Sequence, residues 1–416
     1  MIGYYYDAYV ILNKIYSEGA YLKQAVLKTP IEEKNRKITV KIIYGVLDKD
    51  IELGYYIKKL CDKNPKLHIR TILKISMYLM EYMDKPPYTV IDNAVELTKK
   101  LGKKGASGFV NAVLRKFSAD KPKLPENKYE NFSVKYSYPL FASKELINDY
   151  GEDVAAKIAS YEDTGAYLRF SIDTGEEYLK ERAYEYKKTP FDKLFYVKNF
   201  TMDEGFYKGI YTFQNIGSVS ICDIVGGGDN LLDACAAPGG KSVLLSEKFD
   251  RVTSVDIHPH RVELISDYAK RMNRHNITAV CADSQKHNPD FTDKFDAVLC
   301  DVPCSGFGVA FESPDIKLNR EESSIEELNK IQLSIIKTCS DYVKPGGFLY
   351  YSTCSIFNRE NQVIIDEFMS DELLKEKFVA VDIDSKNPHL KTKSGLQFLP
   401  HLSGGGFFVA KLKRIK

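Results

Sequence analysis

At 416 residues the chain is long enough for two or three domains with sizeable cores, and 44% apolar with 28% charged residues is ordinary for a globular protein. No apolar run approaches a membrane span, and Met1-Ile2-Gly3-Tyr4-Tyr5-Tyr6-Asp7 lacks the basic-then-apolar order of a signal peptide, so no membrane association is expected and the expected compartment is the cytoplasm. The eight cysteines contain no C-x-x-C pair, which argues against a zinc knuckle or a secreted disulfide framework, and no metal site is expected. The net charge of +2 hides an asymmetry: residues 1–130 hold 24 of the 59 Lys and Arg but only 15 of the 57 Asp and Glu. A basic first third suits a polyanion-binding domain, although solvated lysine-rich helix faces give the same count.

From Ala8 to about Phe117 apolar residues recur at spacings of three and four, as in Ile69–Met80, and predict an all-α bundle. The Pro/Lys stretch Lys121–Asn127 predicts a boundary, giving a helical domain over 1–120. Residues 128–226 then read as a linker and small α+β subdomain, with strands at 167–172 and 194–197 around a helix at 176–188. Its tyrosines and phenylalanines, interleaved with Lys and Arg, suit stacking on unpaired bases; core packing explains them equally.

After Gly226-Gly227-Gly228 the pattern is strand then helix, repeated, over 227–416. Strands are predicted at 231–234, 252–256, 278–281, 297–300 and 348–352, with helices at 241–248, 260–274, 325–343 and 360–369: a doubly wound, Rossmann-like α/β domain. The tail 404–412 predicts an antiparallel edge strand. Ligands of such sheets bind beyond the carboxyl ends of the strands.

The loop Cys235-Ala236-Ala237-Pro238-Gly239-Gly240-Lys241 follows the first strand, and its glycines permit close backbone approach to a ligand. Neither G-x-x-x-x-G-K-[ST] nor G-x-G-x-x-G is present, so phosphate is the weaker ligand class. Asp256, Asp283 and Asp301 close or follow the next three strands. An acid after the second strand suits ribose hydroxyls and a polar group after the third suits an adenine edge. S-adenosylmethionine, cationic and free of phosphate, fits three carboxylates. Two cysteines end two predicted buried strands, Cys304 in Asp301-Val302-Pro303-Cys304-Ser305-Gly306 and Cys354 in Ser352-Thr353-Cys354-Ser355, as suits group transfer through a covalent enzyme intermediate.

These segments resemble the S-adenosylmethionine loop, the Pro-Cys motif and the Thr-Cys motif of the RNA cytosine-C5 methyltransferases, in particular the Fmu/Sun (RsmB-like) group that methylates small-subunit ribosomal RNA. Val90–Leu97 and Phe109–Arg115 resemble the closing helices of NusB-type RNA-binding domains, which that group carries, and Pro314-Asp315-Ile316-Lys317 and Pro345-Gly346-Gly347 also fit it. Val302, Phe307 and Ser313 depart from its usual residues, and its frequent tryptophans are absent. The resemblance implies S-adenosylmethionine as cofactor, 16S ribosomal RNA as partner, Cys354 as nucleophile, Cys304 as the thiol that assists elimination and Asp301 as a contact to the cytosine. A transfer RNA methyltransferase, or a non-catalytic RNA-binding assembly factor, are the alternatives; a DNA cytosine methyltransferase would place its nucleophile in the Pro-Cys motif.

Overall fold

The computed structural model describes residues 3–416, which divide into two compact units. The first runs to Ser160 and includes a later segment, Ala310–Arg320; the second comprises Tyr161–Val309 and Glu321–Lys416.

Seven helices from Gly3–Glu18 to Ser107–Ala119 form the expected bundle. The helix Leu67–Tyr82 is its axis: every residue from Thr71 to Leu79 is buried, as expected of a helix apolar on nearly all faces. Its one interior cation, Lys74, is paired with Asp50 at 2.5 Å and lies 4.8 Å from the Tyr16 ring centroid, so the buried ammonium is compensated. Burial still pulls the Lys74 pKa down against the pull of Asp50.

The boundary expected at 121–127 lies inside this unit. Residues 128–160, expected with the α+β subdomain, form the helices Lys128–Tyr136, Leu140–Tyr150 and Glu152–Ala159 and group with the bundle. The tie is local: Ser137 adopts φ 55°, and its Oγ accepts from the backbone N–H of Ile51 (2.8 Å) and Glu52 (3.3 Å), which open the helix Asp50–Leu60. Tyr55 also donates to the Lys123 carbonyl at 2.8 Å. A stretch whose composition suggests a free linker is therefore fastened.

The segment Ala310–Arg320 is held equally firmly. The Leu22 N–H donates to the Asp315 carboxylate at 3.2 Å, Leu318 packs on the bundle core, and the buried Lys317 ammonium meets Asp48 at 2.7 Å, 4.6 Å from the Tyr138 ring centroid. Burial opposes ionisation of Asp48, but Lys317 and Lys49 together hold its pKa below the usual carboxylate value.

The second unit holds two sheets. β1 (Gly165–Phe170), β2 (Tyr186–Lys188), β3 (Leu194–Lys198) and β4 (Tyr211–Phe213) form an antiparallel sheet in the order β2-β3-β1-β4. The helix predicted over 176–188 covers only Gly175–Glu181: Ala183 takes φ 55°, which ends the helix, and the chain reverses into β2. The five strands predicted for the α/β domain are present as β5 (Gly228–Asp233), β6 (Phe249–Asp256), β7 (Ile277–Cys281), β8 (Phe295–Asp301) and β9 (Val343–Thr353). With β10 (Phe378–Ala380), β11 (Leu390–Lys391), β12 (Gly395–Phe398) and β13 (Phe407–Arg414) the order is β11-β12-β13-β9-β8-β5-β6-β7, β10 also pairing β13. β5 to β9 are parallel and β13 is antiparallel to β9. The tail strand is antiparallel as expected but interior, because β12, with Leu396 and Phe398 buried, covers its other side. No helix among the described residues is long and apolar enough to cross a membrane.

Asp48→Ala removes the carboxylate that meets the buried Lys317 ammonium at 2.7 Å. Urea unfolding of the bundle is expected to show a loss of about 3 kcal/mol, the scale for breaking a buried pair; an unchanged midpoint would show that the docked segment draws nothing from this contact.

Candidate active site

The strand order reverses direction at β5 and β8, and their carboxyl ends open into a cavity of about 430 Å³. It gathers residues far apart in the chain: Cys235 and Ala237, Asp256, Asp283, Asp301, Cys304 and Cys354, together with Ile331 and Ile335. Ala236, Pro238, Gly239, Gly240 and Lys241 do not line it. They form the turn between β5 and the next helix and that helix's start. The Ala236 N–H donates to the Val255 carbonyl at 2.8 Å, and Gly239 at φ 107° turns the chain into the helix Gly240–Leu245; a Cβ there would sit 3.3 Å from the Ile265 Cα.

Lys241 reaches under the sheet end to Asp301, Nζ to Oδ2 at 2.6 Å, while the Ser352 hydroxyl donates to Asp301 Oδ1 at 2.7 Å. Burial disfavours the ammonium, but the Coulombic and hydrogen-bonding pull of Asp301 outweighs it and holds the Lys241 pKa above its ordinary value. Lys241 is thus committed to a carboxylate, which removes it as a phosphate ligand. Asp256 accepts from the His258 N–H at 3.1 Å with Arg261 at 3.5 Å, and Asp283 accepts from the Gln285 N–H at 3.1 Å. Acids at the ends of β6, β7 and β8, around a space with apolar walls, fit a cationic nucleoside. In the metal-ligand class, no cluster of three or more candidate side chains occurs among the described residues.

The two cysteines meet. β8 and β9 pair in parallel register, Asp301 opposite Ser352, so the loops beyond them leave the sheet side by side. Sγ of Cys304 and Sγ of Cys354 are 3.3 Å apart, both half-buried. Gly308 presses the first loop onto the second: its N–H donates to the Cys354 carbonyl at 3.0 Å, and a Cβ would fall 2.7 Å from that oxygen. The hydrogen bond with Cys354, then burial, pushes the Cys304 thiol well above its usual pKa. Of the other cysteines Cys222, Cys300 and Cys339 are buried, Cys61 is half-buried and Cys281 is exposed.

Sequence reasoning missed the polar groups beneath the pair. Glu360, at the start of a predicted helix, is fully buried and accepts hydrogen bonds from Ser305 and Ser355. The available signal was a repeated dipeptide, Cys304-Ser305 and Cys354-Ser355. Asp233 was missed as well. It accepts from the Ser242 hydroxyl at 2.6 Å, and Ser242 in turn accepts from Ser254 at 2.9 Å.

A parallel sheet with this crossover, an acid-lined cavity at its switch point and a left-handed glycine turn beneath it define a Rossmann-like, S-adenosylmethionine-dependent methyltransferase, here joined to a helical domain. Residues 225–413 match the family described as "16S rRNA methyltransferase RsmB/F", and residues 8–119 match the NusB family. The "Probable ribosomal RNA small subunit methyltransferase B" of Bacillus subtilis is 32% identical over 97% of this chain and 95% of its own length. The "Ribosomal RNA small subunit methyltransferase B" of Pasteurella multocida is 26% identical over 97% and 94%. The crystal structure of PH0851 shares the fold at a TM-score of 0.83, with 22% identity over 99% of this chain and 98% of that one. The chain belongs to the RsmB/F family of 16S rRNA methyltransferases.

Burial pushes the Asp233 carboxyl up to about 7 from 3.8, the Ser242 hydrogen bond opposing it and Asp301 adding to it. A carboxyl raised on folding contributes stability below its unfolded pKa that is lost as pH rises through the folded value. Asp233→Asn keeps an acceptor for Ser242 without the charge. Its stability relative to wild type is expected to rise between about pH 4 and pH 7, by on the order of 4 kcal/mol, and to level off above. Parallel denaturation curves across that range would contradict the assignment.

Proposed function

We propose that the protein methylates C5 of a specific cytosine in 16S ribosomal RNA through a covalent cysteine adduct. The observation that carries this reading is the 3.3 Å separation of two thiols at the edge of the cofactor cavity. Cytosine C5 is too weak a nucleophile to take a methyl group unaided. Addition of the Cys354 thiolate to C6 forms an S–C6 bond and moves the C5=C6 electron pair toward C5. S-adenosylmethionine supplies an electrophilic methyl group on its sulfonium. Once C5 carries the methyl group, its proton passes to a base drawn from solvent, the C5–H electron pair re-forms C5=C6, and the S–C6 bond breaks with Cys354 leaving as the thiolate; Cys304, beside Cys354, assists that elimination.

Asp301 faces the cytosine N3/N4 edge and stabilises the charge that develops on the ring as the adduct forms. Lys241 and Ser352 each occupy one of its oxygens, and a carboxylate has lone pairs to spare. Asp256 takes the ribose hydroxyls and Asp283 the adenine edge, with the 235–241 loop below them. The names of the relatives, small-subunit methyltransferases, favour 16S over transfer RNA. A scaffold without activity has no use for paired thiols. The basic N-terminal bundle and the aromatic-rich sheet of β1 to β4 supply RNA affinity in this reading.

The two cysteines have opposite expected phenotypes. Cys304→Ala, incubated with RNA and S-adenosylmethionine, forms the adduct and resolves it slowly, giving a protein–RNA band that survives denaturation; Cys354→Ala gives none. The reverse pattern would move the nucleophile to the Pro-Cys loop. Loss of turnover alone discriminates nothing, because each variant keeps one thiol.

A further inference from the structure

The ladder between β8 and β9 ends at Val302 and Ser352, so sheet pairing alone does not set the distance between the sulfurs beyond it. Directly beneath lies Glu360, with no exposed surface. Its Oε1 accepts from the Ser305 N–H at 2.8 Å and from Gln332 Nε2 at 3.1 Å. Its Oε2 accepts from the hydroxyls of Ser305 and Ser355, each at 2.5 Å. Gln332 Nε2 also donates to the Pro303 carbonyl at 3.0 Å, and the Tyr351 hydroxyl to the carbonyl of Glu360 itself at 2.6 Å.

A carboxylate taken out of water is tolerated only when donors replace its hydration. Here four donors do so, and they are distributed across both cysteine loops and the helix Glu322–Ser340. The repeated Cys-Ser dipeptide acquires a physical meaning. Each cysteine faces the cavity and the serine after it turns down to the same carboxylate.

We propose that Glu360 is a positioning residue for methyl transfer: by receiving Ser305 and Ser355 on one buried carboxylate it locks the Pro-Cys and Thr-Cys loops in a single frame and sets the separation of their sulfurs. The role in transfer rests on reading Cys354 and Cys304 as the reacting pair; the clamp itself does not. The negative charge has a second consequence. It adds to the hydrogen bond, burial and Cys354 in keeping Cys304 a thiol, with Tyr351, Asp301 and the Lys241 ammonium paired to Asp301 among the other ionisable groups nearby.

The test uses full-length Glu360→Gln and Glu360→Ala beside wild type. The amide can keep every bond, its oxygen accepting and its nitrogen donating to the serine hydroxyls, but it carries no charge. Glu360→Ala is expected to lose about a hundredfold in kcat, the scale for reacting groups displaced by about 1 Å, with the Kd for S-adenosylmethionine unchanged, while Glu360→Gln recovers most of the turnover. Alkylation of Cys304 by iodoacetamide, followed peptide by peptide across pH, is expected to shift to lower pH in Glu360→Gln, a change that loss of packing alone does not produce. Wild-type kcat in Glu360→Ala, or an unshifted profile in Glu360→Gln, overturns the proposal. Should Glu360→Ala fail to fold, Ser355→Ala removes one donor from one loop, and wild-type kcat there overturns it equally. The alkylation profile needs neither RNA nor turnover, so a shift in an enzyme that proves inactive on cytosine counts against the proposed function and leaves the clamp standing.

Discussion

The parallel pairing of β8 with β9 is the constraint on which the site depends. It brings Asp301 opposite Ser352 and sends two loops, fifty residues apart in the chain, out of the sheet at one point. Everything polar at that end follows: Ser352 and Lys241 orient Asp301, and Cys304 meets Cys354. The strands can pair this closely because they are continuous apolar runs covered on both faces, Val298 and Leu299 against Leu349 and Tyr350. Core packing and chemistry are thus one arrangement read from two ends of the same strands.

Much of this was legible in the sequence. Five strands of the α/β domain announce themselves as short apolar runs, four of them ending in Asp or Cys, and strand-end acids mark a ligand rim whatever the ligand. Other features resist sequence reading for physical reasons. The helix expected over 176–188 has unbroken helical composition; only the left-handed backbone at Ala183 ends it, and nothing in an alanine signals that. Residues 121–127 have a linker's composition, but Tyr55 donates to the Lys123 carbonyl, and just beyond them Ser137 accepts from Ile51 and Glu52, contacts that have no sequence period. β12 is too short to register as a strand, so the tail looks like an edge. Glu360 reads as an exposed first-turn acid, and only the folded chain shows both serines converging on it.

The segment Ala310–Arg320 gives the architecture its unusual feature. It follows the Pro-Cys loop in sequence but is built into the N-terminal unit through Asp315, Lys317 and Leu318. The Pro-Asp-Ile-Lys stretch is therefore a packing element of the helical unit rather than part of the cavity. It makes the helical unit discontinuous in sequence, and its stability depends on residues that lie within the methyltransferase half of the chain.

The central claim is that the juxtaposed thiols exist to methylate cytosine in ribosomal RNA. Bisulfite sequencing of 16S RNA from cells with the gene deleted, then complemented with wild type or with Cys354→Ala, tests it most directly. The account predicts that one 5-methylcytosine disappears on deletion, returns with wild type and does not return with Cys354→Ala. An unchanged 5-methylcytosine pattern on deletion, or its restoration by Cys354→Ala, would contradict it.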